Sequence, residues 1–88
     1  MTERIEVNGV EFDILTERLN SWKAFQIMRD ARATEDDYER TSALMEVTCY
    51  ITGLEESDFI DKCGGADTSI MDVFKFVSEI IKAAYPKN

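Results

Sequence analysis

The segment Tyr38–Thr52, followed by Gly53, constrains this chain more than any other, because as a helix it leaves almost no face for water. At about 100° per residue, Leu44, Val47 and Ile51 form one apolar strip and Tyr38, Met45 and Cys49 a second, with Thr41, Thr48 and Thr52 filling the gap. Ser42, Glu46 and Glu39 alone mark a clear solvent face. A helix so apolar around its circumference needs neighbours on more than one side, so the rest of the chain must supply them. Gly53 suits the left-handed position that closes such a helix.

The first neighbour is a strand pair. Ile5, Val7, Val10, Phe12 and Ile14 flank Asn8-Gly9, the dipeptide favoured in two-residue hairpin turns where both residues take positive φ. Counting outward pairs Val7 with Val10 and Ile5 with Phe12 on one apolar face. The other face pairs Arg4 with Asp13 favourably and Glu6 with Glu11 unfavourably. A lone hairpin is marginal in water, so this one must lie on helices or join another sheet.

After a connection through Leu15 to Leu19, Asn20 is the expected cap of a helix carrying Trp22, Phe25, Met28 and Ala31 on adjoining turns and ending near Ala33. Thr34 is the expected cap of the central helix, with Glu35, Asp36 and Asp37 in its first turn, where free backbone N–H groups favour negative charge. That acidic run lacks calcium-loop spacing and a turn glycine, so capping accounts for it and no metal is expected. Leu54 to Cys63 reads as a short helix with Leu54, Phe59, Ile60 and Cys63 inward and Glu55, Glu56, Asp58 and Asp61 outward. Gly64-Gly65 stops it; no phosphate-binding glycine pattern surrounds the pair.

Ser69 with Asp72 forms a capping box for the last helix, Asp67 and Thr68 being alternative caps. Ile70, Val73, Phe74, Val77, Ile80, Ile81 and Ala84 fall in one stripe about 140° wide, the pattern of a core-facing helix. Phe76 falls outside that stripe and Met71 on its opposite flank; Pro86 ends the helix. The fold expected is mainly α with a small N-terminal β-hairpin (α+β), in a single domain over residues 1–88. The hairpin spans 4–14 and packs on a bundle of about four helices near 20–33, 35–52, 55–63 and 69–85.

Eighteen acids against ten bases give a formal charge of −8, which argues against sequence-independent binding to nucleic acid or anionic membrane. A basic or neutral protein partner fits better, although solubility alone accounts for such a charge as well. The residues up to Ile5 form no leader-like apolar run, and no stretch approaches the ~20 apolar residues of a membrane span, so a cytoplasmic protein is expected. Cys49 and Cys63 have no CxxC spacing and are expected as reduced, largely buried thiols. The chain has no histidine, which removes the commonest general base and imidazole ligand, and its acids sit at helix starts and outer faces. Neither catalysis nor a cofactor is expected. Asp67-Thr68-Ser69-Ile70 looks like the phosphopantetheine site of acyl carrier proteins, but Thr68 separates the acid from the serine and one helix pattern follows where two are needed, so the capping box is preferred.

The Ile-Glu-Val-Asn-Gly-Val-Glu-Phe-Asp-Ile strand pair, the early Trp22/Phe25 helix, the acidic helices and the closing Val73-Phe74-Lys75-Phe76-Val77-Ser78-Glu79-Ile80-Ile81 segment together resemble the small tail assembly chaperones of long-tailed bacteriophages and prophages. The resemblance implies a non-catalytic protein that binds the long tape-measure protein, keeps it soluble and helps recruit tail-tube subunits. It also implies a longer product made by frameshifting, and Pro86-Lys87-Asn88 can be encoded with a slippery heptamer. Such a protein needs exposed apolar residues within a polar rim. Phe76 and Met71 are the leading candidates, with Trp22 and Tyr85 behind them; ordinary packing is the competing account of each. The rival function is an acidic inhibitor, an immunity-type protein or nucleic-acid mimic, docking Glu35, Asp36, Asp37, Glu55, Glu56, Asp58 and Asp61 on a basic target. Self-association is compatible with either reading, since so short a chain has a modest margin of stability.

Overall fold

A computed structural model of the chain describes residues 2–86. The frameshift reading falls on Lys87 and Asn88, outside the described residues. Strands β1 (Thr2–Val7) and β2 (Val10–Leu15) form an antiparallel hairpin, followed by α1 (Thr16–Leu19), α2 (Trp22–Ala33), α3 (Asp37–Thr52), α4 (Glu56–Lys62) and α5 (Ile70–Ala84). The hairpin packs against the helices, as the alternating pattern requires. The short helix α1 occupies what reads in sequence as a plain connection.

Asn8 (φ 50) and Gly9 (φ 81) take the two positive φ values of the turn, and the register follows from it: Val7 opposite Val10, Ile5 opposite Phe12, Glu6 opposite Glu11, Arg4 opposite Asp13. Arg4 reaches Asp13 at 3.2 Å and Glu11 at 3.3 Å, so one guanidinium offsets the Glu6–Glu11 repulsion as well. Val7, Phe12 and Ile14 are buried on the inner face.

The central helix α3 carries its core on Val47, Thr48, Ile51 and Thr52. The buried threonines are satisfied within the helix, Thr48 Oγ1 donating to the Leu44 carbonyl at 2.8 Å and Thr52 Oγ1 to the Thr48 carbonyl at 2.7 Å. Back-bonding of this kind lets a hydroxyl sit in a core at little cost. Gly53 (φ 71) closes α3. A Cβ there would stand 2.9 Å from Leu15 Cδ1, so the glycine meets both a left-handed backbone and a close approach by the end of β2.

Helix α2 packs along α3 and buries Ala24, Ile27 and Ala31, the two alanines permitting close approach. Of the residues grouped together on this helix in sequence, Ala31 is thus buried, Phe25 points to solvent, and Trp22, also a surface candidate, is exposed. Its cap is Ser21 rather than Asn20, Ser21 Oγ accepting from Ala24 N–H at 3.2 Å. The cap of α3 is Asp36 rather than Thr34; its Oδ1 accepts from Tyr38 and Glu39 N–H. Thr34 Oγ1 instead accepts from Asp36 N–H and donates to Glu39 Oε2. Arg40 fastens the α2–α3 corner, donating to the Ala31 carbonyl at 3.3 Å, the Thr34 carbonyl at 2.7 Å and the Asp37 carboxylate at 3.1 Å. It thereby satisfies a carbonyl in the last turn of α2, where cation and dipole also agree.

Ser69 caps α5 as expected, Oγ accepting from Asp72 N–H at 3.2 Å. The buried arc of α5 is rotated from the expected stripe. It runs through Val73, Phe76, Val77 and Ile80, while Ile70 is exposed. Phe12 of the hairpin lies between Phe59 of α4 (centroids 5.6 Å) and Phe76 of α5 (6.1 Å, edge-on), so an aromatic trio joins strand to both helices. Among the described residues no buried side-chain nitrogen or oxygen lacks a hydrogen-bond partner.

Candidate protein-binding surfaces

Two surfaces remain apolar and uncovered, at opposite ends of α5. The first is a trough between the start of α3, α4 and the start of α5. Its main hollow, about 420 Å³, is walled by Met45, Ile60, Ile70, Val73 and Phe74, with Tyr38 at its edge. A second hollow of about 300 Å³ shares Thr41 and Phe74 with it and continues past Leu44, Val77 and Ile81. The two therefore adjoin along the α3–α5 seam. From Ile70 to Ile81 the seam is about 16 Å long at 1.5 Å per residue, room for roughly three turns of a docked helix.

Two large exposed apolar side chains, Tyr38 and Ile70, line the mouth of the trough. Tyr38 is 84% exposed, Ile70 69% and Met71, the next residue of the α5 turn, 68%. Tyr38 belongs in sequence to an inward strip of α3, yet it stands in that helix's first turn, where no described element covers it. Among the described residues the only charged one lining the main hollow is Glu56, with no Lys or Arg. Asp37, Asp67 and Asp72, chain neighbours of lining residues, are all exposed.

The second surface lies at the far end of α5, where that helix meets α1 and α2. Trp22 (66% exposed) and Phe25 (52%) stack with ring centroids 5.2 Å apart. The Arg29 guanidinium lies 5.9 Å from the Trp22 ring and 5.6 Å from the Phe25 ring. Phe25 opens onto a hollow of about 380 Å³ walled by Leu19, Ala24, Met28 and Tyr85, with Arg29 and Arg32 as its only charged lining among the described residues. Tyr85 is half-buried there, its hydroxyl donating to the Leu19 carbonyl at 2.8 Å and so tying the end of α5 to α1. Burial raises the Tyr85 phenol above its ordinary pKa, with Tyr50 adding to the shift.

The four apolar candidates therefore part company. Met71 is exposed beside Ile70 but lines neither hollow of the trough, and Trp22 and Tyr85 belong to the aromatic patch. Phe76 is not a surface residue: it is 8% exposed and packed edge-on against Phe12. The expectation fails there because the hairpin covers a flank of α5 that helical periodicity alone assigns to solvent. Tyr38, Ile70 and Phe25 are the surface residues that the sequence reading assigns inward; nothing in their local spacing marks them as exposed.

Glu35, Asp36, Asp37, Glu55, Glu56, Asp58 and Asp61 are all exposed, in one group at the start of α3 and another along α4. Asp36 is engaged as the α3 cap and Asp37 by Arg40. No group of three or more His, Cys, Asp or Glu among the described residues is placed to hold a metal ion. No helix among the described residues is long and apolar enough to cross a membrane. Cys49 and Cys63 are free thiols, each pushed up to about 11 by burial. Comparison with known proteins gave no match to a protein-family model, a curated protein or a solved structure.

Proposed function

We propose that this chain is a non-catalytic assembly chaperone of the tail-assembly kind its sequence resembles, working in the cytoplasm and holding an amphipathic helix of a long client protein in the α3–α5 trough. The observation that carries the reading is the trough itself. Tyr38 and Ile70 are large apolar side chains left in water on its lining, with exposed Met71 next along α5, and folded domains seldom leave such residues grouped without a use. Helix-in-groove recognition supplies the mechanism: apolar residues at i, i+3, i+4 and i+7 of the client would fill the trough. Glu56 and the neighbouring acids would meet basic residues on the client helix's flank. A tape-measure protein, long and rich in exposed helix during assembly, is the client that the resemblance implies.

The test is co-expression with a tape-measure protein, scoring the soluble fraction of the client. Ile70→Ser with Met71→Ser should cut that fraction several-fold while leaving the chaperone's melting temperature within a few degrees. Unchanged client solubility would remove the trough from the mechanism. The rival reading, an acidic inhibitor of a basic target, draws on the exposed carboxylates of α4. Ionic strength separates them, because charge-led docking weakens steeply between 50 and 500 mM salt, roughly the span over which screening becomes short-ranged, and apolar burial does not.

A further inference from the structure

We infer that copies of this chain pair with one another, the Trp22–Phe25–Arg29 patch of one seating on the Tyr38–Ile70 trough of the next. The inference rests on the two surfaces and not on the identity of any client. Their charges are complementary: among the described residues the patch hollow is lined by Arg29 and Arg32 with no carboxylate and the trough's main hollow by Glu56 with no base, Lys82 entering only in its continuation. That division is unexpected in a chain of net charge −8, where a base-only surface is the exception. Their shapes are complementary as well, since the patch is a projecting pair of stacked rings and the trough a hollow. Full burial of an aromatic side chain removes about 150–250 Å² from water; at 66% and 52% exposure Trp22 and Phe25 retain roughly half to two-thirds of that, as the type of anchor that dominates small interfaces.

The two surfaces do not meet within one molecule. Trp22 and Phe25 are fixed on α2 and line neither hollow of the trough, whose mouth at Ile70 lies about 22 Å along the α5 axis from Tyr85 at 1.5 Å per residue. Contact between them is therefore contact between copies. Such an arrangement would shield the exposed rings and the trough mouth while no client is bound. It would also add to the stability of a domain whose short chain leaves a modest margin.

The test uses the purified chain alone, so its failure leaves the client reading untouched. Sedimentation equilibrium is measured from about 10 µM to about 1 mM, the range in which interfaces with few anchors associate. The wild-type mass should rise above 10.1 kDa with concentration. Two variants break one surface each: Trp22→Ser with Phe25→Ser, and Tyr38→Ser with Ile70→Ser. All four positions are exposed, so both variants should fold, which circular dichroism melting verifies. Each should remain at 10.1 kDa alone, and their equimolar mixture should form a heterodimer, because each retains the surface the other lacks. A wild type that stays at 10.1 kDa throughout overturns the inference. So does either variant associating as strongly as wild type, or a mixture no larger than its components.

Discussion

Phe76→Ala discriminates most sharply between a surface and a core reading of α5. The ring is 8% exposed and contacts Phe12 edge-on at 6.1 Å, with Phe12 in turn against Phe59. Truncating a buried phenylalanine costs about 3–5 kcal/mol, of which the edge-on aromatic contact accounts for about 0.5–1.5 kcal/mol. An 88-residue domain holds roughly 4–13 kcal/mol in total at 0.05–0.15 kcal/mol per residue, so the change removes a large share of its stability. At about 4–8 °C per kcal/mol in domains of this size, the melting temperature should fall by at least about 12 °C. Met71→Ala, on the same helix but in solvent, should stay within about 0.5 kcal/mol. Urea unfolding followed by far-UV circular dichroism measures both. A double-mutant cycle with Phe12→Leu should also return a coupling energy, because the two rings share one contact. If Phe76→Ala costs no more than Met71→Ala, the aromatic trio does not hold the hairpin to the helices and the packing described above is wrong.

Arg40→Met keeps most of the side chain's apolar length while removing three hydrogen bonds at the α2–α3 corner. It should cost about 1.5–3 kcal/mol in the same urea assay, a charged donor being lost from two backbone carbonyls, and a cost below 0.5 kcal/mol, roughly the surface-substitution level, would show that solvent replaces it freely. Cys49 and Cys63, each held near 11 against an ordinary 9.0, should react with a thiol-specific disulfide reagent about 100-fold more slowly at pH 8 than in the urea-unfolded chain. Desolvation is the main cause at both, with Glu56 adding at Cys49 and Cys49 adding at Cys63. Because the folded-state values are raised, the unfolded chain ionises first. The thiols' contribution is therefore complete below pH 9 and is lost as pH rises from about 9 to about 11. The urea midpoint should fall across that window, and less so in Cys49→Ala with Cys63→Ala; equal slopes would assign the fall to other groups.

Features set by a few neighbouring residues were legible in the sequence. Asn8-Gly9 dictates both positive φ values and hence the whole hairpin register, Gly53 the end of α3, and Ser69 the start of α5. Each depends on backbone conformation or on one side-chain hydrogen bond within three residues, so distant chain cannot overrule it. The caps of α2 and α3 moved by one or two positions because several competent residues stand in a row: Asn20 beside Ser21, and Thr34 before Asp36. Local chemistry restricts the choice there without making it.

Which face of a helix is covered was decided only by tertiary structure. Helix α2 offers two apolar faces, and hydrophobicity ranks Trp22 and Phe25 above Ala24 and Ala31. Close packing on α3 selects the alanines, because a small side chain lets two helix backbones approach where an indole would hold them apart. Helix α5 meets α3 on one side and the hairpin on another, so its buried arc takes in Phe76 and abandons Ile70. Tyr38 fits an apolar strip of α3 by angle, but the strip extends into a first turn where no described element covers it. The same choices that put Ala24 and Phe76 inside leave Trp22, Phe25, Tyr38 and Ile70 in solvent. Helical periodicity fixes the angle of each side chain about its own axis; what stands at that angle depends on residues far away in the chain, and the two candidate binding surfaces exist only because of that.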